Sequence, residues 1–165
     1  MRFIESVAEL YAHAIAIERE AAECYAEFAQ RMADEGKDEL AGVFARLART
    51  EAEHLGALER RTDGVELPHL RSHGYKWLDS GIPEVPAREL VLRLMTPRQA
   101  LAIALHAEQR AYAFFEHVYF TASDPALRAL ATEMAAEERE HVAMLARLIE
   151  ATPSPSLDST LIFER

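Results

Sequence analysis

The chain has 165 residues, half of them hydrophobic, with only 6 glycines and a net charge of −10 at pH 7. That length suffices for one domain with a full core, and the acidic balance, with no basic stripe to track phosphates, excludes a nucleic-acid-binding role. A single cysteine, Cys24, excludes an internal disulfide and any paired-cysteine metal knot; no apolar run reaches the roughly 20 residues of a membrane span. The start, Met1-Arg2-Phe3-Ile4-Glu5, lacks an uninterrupted apolar signal region, so a cytoplasmic location is expected.

Ala, Leu, Glu and Arg dominate, all good helix formers. The first predicted helix runs from about Ser6 to about Ala33, with an apolar stripe of Val7, Tyr11, Ala14/Ile15, Ala21/Ala22, Tyr25, Ala29 and Met32, and Gly36 breaks it. The second runs from about Lys37 to Arg61, with stripe Leu40, Val43/Phe44, Leu47, Leu55 and Leu58, stopped by Asp63-Gly64. Residues 62–95, with Pro68, Gly74, Gly81, Pro83 and Pro86, read as a long crossover returning the chain to the other end of a bundle, with a short helix over Ala87 to Met95. Thr96-Pro97 is a helix start, Thr as N-cap and Pro at the first helical position, and this third helix runs to about Phe120. Ser123-Asp124-Pro125 restarts the chain as a fourth helix to about Glu150. Residues 1–152 thus form an all-α four-helix bundle of two helical hairpins, and 153–165 a tail opened by Pro153 and Pro155 that cannot continue the helix.

Each stripe carries one glutamate near its middle: Glu18, Glu51, Glu108 and Glu138. Two of them continue as Glu-x-x-His, with His54 and His141. Residues three apart share a helix face, so each motif aims a carboxylate and an imidazole at one point. An uncompensated carboxylate in a helical core costs several kcal/mol, and four together need a strong common partner. A pair of divalent metal ions supplies it, cancelling four negative charges. One glutamate from each of two helices plus Glu-x-x-His from each of the other two is the ligand pattern of dinuclear carboxylate bundles.

The halves form a weak repeat. Shifting the first helix by 90 residues aligns Glu18 with Glu108, Ala21 with Ala111 and Tyr25 with Phe115; shifting the second by 87 aligns Glu51 with Glu138, His54 with His141 and Leu58 with Leu145. A two-fold pseudo-repeat presents two ions with similar ligand sets.

On these residues the chain resembles the rubrerythrin-like branch of the ferritin family over about residues 5–150. The resemblance rests on Ala14-Ile15-Ala16-Ile17-Glu18 with Tyr25 seven residues on, Glu51-x-x-His54, Ala100-Leu101-Ala102-Ile103-Ala104 leading to Glu108, and Ala136-Glu137-Glu138-Arg139-Glu140-His141. It implies a ferritin-like bundle with Glu51 and Glu138 bridging two iron ions and Glu18, Glu108, His54 and His141 as terminal ligands. Manganese and zinc suit the same donors. The implied activity is reaction of a ferrous pair with dioxygen or hydrogen peroxide, an oxidoreductase of peroxidase or ferroxidase type serving oxidative-stress defence or iron handling, fed by an external electron donor. The alternatives are a ferritin-type iron-oxidising storage subunit, an oxygenase acting on an organic substrate, and a bundle merely stapled by metal. A homodimer or larger homo-oligomer is expected, with Tyr75, Trp77 and Leu78 of the crossover available to cover a partner. Two departures from rubrerythrins stand out: no rubredoxin-like Cys-x-x-Cys pair, and Ala111 where they carry a further glutamate. The remaining set looks more like a bacterioferritin-type centre.

Other chemically capable residues have ordinary readings. Glu20, Glu23, Glu53, Glu137 and Glu140 fall off the stripes and are expected on the solvated face rather than as ligands. Tyr25 is expected in the core, with a hydroxyl that needs a partner. His13, His106 and His117 read as surface or packing residues, His69 and His73 as crossover residues, and Cys24 as a small buried side chain.

Overall fold

A computed structural model of the chain describes residues 4–70 and 96–153. They form four helices: α1 (Val7–Asp34), α2 (Asp38–Arg61), α3 (Pro97–Thr121) and α4 (Pro125–Ala151). Among the described residues there is no strand, and no helix is long and apolar enough to cross a membrane. Most of the expected crossover, including the short helix over 87–95, His73, Tyr75, Trp77 and Leu78, lies outside the described residues, as does 154–165.

The helix ends follow from local chemistry. The Ser6 hydroxyl accepts from the Glu9 backbone N–H at 3.1 Å, while the Glu9 carboxylate accepts from the Glu5 N–H at 3.0 Å. At the other end of α1, Gly36 takes φ +71°, and the Lys37 and Gly36 N–H groups donate to the carbonyls of Met32 and Ala33. That pair of bonds is a Schellman closure, which needs the left-handed residue that glycine supplies. α2 starts without a side-chain cap and instead carries Asp38 and Glu39 in its first turn, favourable against the helix dipole. It closes at Thr62, whose hydroxyl donates to the Leu58 carbonyl at 2.9 Å. Thr96 and Gln99 form a reciprocal capping box at the start of α3, and the Asp124 carboxylate caps α4 through the Ala126 N–H.

α1 packs on α2 and α3 on α4 as two hairpins, and α1 also meets α4. The buried face of α1 is wider than the expected stripe. Leu10, Ile17, Cys24 and Phe28 are buried, whereas Val7, Tyr11, Ala22 and Ala29 are only partly so. The reason is that α1 meets two neighbours, which demands a broader apolar arc than a single seam.

The core divides into two apolar clusters. One gathers Tyr25, Phe28, Met32, Phe44, Leu47, Leu101 and Leu145; the other gathers Leu10, Ala14, Leu58, Phe115, Leu127, Leu130 and Met134. Along each helix the stripe glutamate falls between residues of the two clusters, so a polar layer crosses the bundle at mid-length. Arg19 with Glu59 at 2.9 Å joins α1 to α2, and Arg61 with Glu133 joins α2 to α4. These exposed pairs each add at most about 1 kcal/mol, so burial of the clusters carries the stability.

Candidate metal centre

The polar layer contains all six residues singled out by spacing. Glu18, Glu51, Glu108 and Glu138 are 1–2% exposed and His141 is 5% exposed. The His54 side chain remains 27% exposed. Each Glu-x-x-His turn brings its imidazole over the centre with Nδ1 inward. His141 Nδ1 lies 3.1 Å from Glu51 Oε1, 3.5 Å from Glu108 Oε2 and 3.8 Å from Glu138 Oε2. His54 Nδ1 lies 3.8 Å from Glu18 Oε2. The two imidazoles stack with centroids 5.3 Å apart and planes 8° from parallel, as a pseudo-two-fold between hairpins requires.

These groups do not satisfy one another. Glu18 Oε2, Glu51 Oε1, Glu138 Oε2, His54 Nδ1 and His141 Nδ1 are all buried atoms without a hydrogen-bond partner. Several uncompensated polar atoms in one core would cost many kcal/mol in a finished protein. A metal ion is the partner that accepts lone pairs from oxygen and nitrogen alike, so the residues fit one. Three sets bring ligand atoms within 4.8 Å of one another: Glu51–His54–His141, Glu108–Glu138–His141 and Glu18–His54–Glu137.

Electrostatics in the metal-free state point the same way. Burial, and then the neighbouring charge of Glu108, drives the Glu51 carboxyl well above the ordinary carboxylate range. Burial, then the adjacent Glu108 carboxylate, does the same to Glu138. Glu18 is also raised by burial, with Glu51 and the two imidazoles opposing. Glu108 is the exception. Burial acts to raise it, but the close approach of His141 and Glu138 and the hydrogen bond from Tyr25 outweigh that and hold it low. For His141, burial acts to lower the imidazole, and Glu108 more than reverses it. A cluster of this kind keeps protons until a cation displaces them.

The halves differ despite the repeat. Tyr25, fully buried, donates its hydroxyl to Glu108 Oε1. Its own hydroxyl is pushed well above the usual phenol range by burial and by the Glu108 charge. The repeat partner of Tyr25 is Phe115, which has no hydroxyl to offer Glu18. Sequence reading placed Tyr25 in the core but did not reveal that it crosses to the carboxylate of the other hairpin.

Two carboxylates, Glu20 and Glu137, depart from the expected solvated face. Glu20 is half-buried; Glu23, Glu53 and Glu140 are exposed, as their off-stripe positions imply. Glu137 is half-buried beside Glu18 and His54. Burial raises its carboxyl and the nearby His54 imidazole opposes the rise. The signal for it was its spacing of four from His141, which puts the two on neighbouring faces of α4. His106 and His69 are exposed, while His13 is half-buried against Phe114 with ring centroids 5.5 Å apart.

Residues 9–149 match the sequence profile of the Rubrerythrin family. The chain belongs to the rubrerythrin family. A crystal structure of an uncharacterized conserved protein from Magnetospirillum magnetotacticum is similar to it, with 38% identity and a TM-score of 0.80, covering 92% of this chain and 99% of that one. No curated protein matches the chain. Family membership and the shared fold agree with a ferritin-like bundle carrying carboxylate and histidine groups able to hold metal.

Proposed function

We propose that this rubrerythrin-family chain binds two iron ions between its four helices and that the ferrous pair reacts with dioxygen or hydrogen peroxide. The observation that supports this reading best is the convergence of five unpartnered, buried donor atoms on one mid-bundle layer. Oxygen and imidazole donors suit iron, and manganese or zinc by the same chemistry.

When bound, two ferrous ions supply the two electrons that, with two protons, reduce hydrogen peroxide to two waters. The chain's residues do the rest. Glu51 and Glu138, one from each hairpin, would be the carboxylates shared by the two ions. Glu18 with His54 and Glu108 with His141 would complete two half-sites. Tyr25 orients Glu108 through its hydroxyl, as outer hydrogen bonds orient metal ligands generally. The two apolar clusters exclude bulk water above and below the layer. Cys24 is a single buried thiol, so repeated turnover draws electrons from an external donor.

The test is to load ferrous ion anaerobically and add peroxide or air. Oxidation should outpace that of free ferrous ion and bring a near-ultraviolet absorption band. Oxidation no faster than in buffer, or an unchanged spectrum, would overturn the reading.

A further inference from the structure

The two half-sites are unequal, and the inequality lies in residues outside the six. At the Glu108–His141 half, the His141 side chain is 6% exposed and Tyr25 locks Glu108 from the far hairpin. At the Glu18–His54 half, the His54 side chain is 27% exposed. Glu18 is 1% exposed and has no tyrosine, and its Oε2 lacks a partner, as does His54 Nδ1. Glu137 joins this half, with a carboxylate oxygen within 4.8 Å of ligand atoms of both.

The repeat sharpens the point. The hairpin shift of 87 that pairs Glu51 with Glu138 pairs Glu137 with Thr50. Thr50 donates its hydroxyl to the Arg46 carbonyl at 3.2 Å and carries no charge. The deep half therefore has no counterpart of Glu137. Nearby, the Arg61 guanidinium is engaged by Glu133 through both nitrogens, which leaves the Glu137 carboxylate without a salt-bridge partner among the described residues.

We propose that Glu137 is an additional, seventh ligand, serving only the ion held by Glu18 and His54, and that this half-site is where metal enters and leaves the centre. A half-buried carboxylate at the solvent side of a buried one can take a hydrated cation first, then share it inward with Glu18 and His54 as waters are shed. The deep ion, boxed in by Glu108, Glu138 and His141, has no such path and exchanges slowly. The inference rests on the dinuclear reading above.

The experiment uses cobalt(II), whose visible bands report ligand number, titrated into the full chain, Glu137→Gln and Glu140→Gln. The unmodified chain should bind two ions in two resolved steps. Glu137→Gln should weaken the weaker step by about tenfold or more, a typical penalty for a lost partner at a metal site, speed release of that ion to a chelator, and leave the tighter step unmoved. Glu140→Gln should change neither step. Glu137→Asp, which keeps the charge on a shorter stem, should fall between. Both steps unchanged in Glu137→Gln, or both weakened equally, would overturn the role of Glu137 while leaving the dinuclear centre standing. Fewer than two ions in the unmodified chain would instead overturn the dinuclear reading itself. Glu137 lies at the bundle surface, so the folded content of each variant, checked by circular dichroism, should match the parent.

Discussion

Tyr25 shows how much one side chain adds to a centre whose ligands are otherwise set by spacing. Its hydroxyl is a buried donor aimed at a buried acceptor, and removing one partner of such a pair leaves the other unsatisfied, at about 1–3 kcal/mol. Tyr25→Phe should therefore lower the unfolding free energy of the metal-free chain by that amount, read from its denaturant midpoint, and weaken metal binding at the Glu108 half by roughly tenfold. A variant with unaltered midpoint and unaltered binding would show that the hydroxyl does not support Glu108. The six stripe residues were legible because a lone glutamate in each apolar stripe violates burial rules so plainly. The link from Tyr25 to Glu108 was not, since a residue 83 positions away is invisible to periodicity. Glu137 was expected on the solvated face for another reason: stripe logic sorts residues into in and out, and half-burial at the edge of a site falls between.

At the scale of helices, the caps were the most readable feature. Thr96, Asp124 and Gly36 each stand where the structure uses them, because capping is local chemistry within three or four residues. Packing was less readable, since how wide a face α1 buries depends on neighbours that arrive from elsewhere in the chain. Two substitutions separate these effects. Gly36→Ala meets nothing within 4 Å of the added carbon, so its cost should be conformational alone, about 1 kcal/mol for an alanine held at positive φ. Thr96→Ala should cost about 1 kcal/mol through the lost cap. Thermal melts of the metal-free chain measure both, and a stabilised Gly36→Ala would contradict the closure assigned to α1.

The molecule as a whole is a bundle that tolerates a polar layer only because something binds there. Without metal, Glu51, Glu138 and Glu18 have carboxyls raised above 4.5, and His141 is raised above 6.5. Groups raised in the fold hold more protons there than in the unfolded chain, so stability falls as pH rises through their folded values. Glu108, lowered, acts in the opposite sense only below 4.5. As pH rises above the ordinary carboxylate and imidazole values, the metal-free chain should accordingly lose melting temperature. Metal displaces the same protons, so binding should tighten over the same rise and the loaded chain should gain stability where the empty one loses it. Parallel pH profiles with and without a chelator would contradict this account. The most direct measurement is a crystal structure of the metal-loaded chain with the ions located by anomalous scattering. The account predicts two ions in the mid-bundle layer, bridged by Glu51 and Glu138 and held at their ends by Glu18, His54, Glu108 and His141. A single ion, or ions only at the surface with these side chains apart, would contradict it.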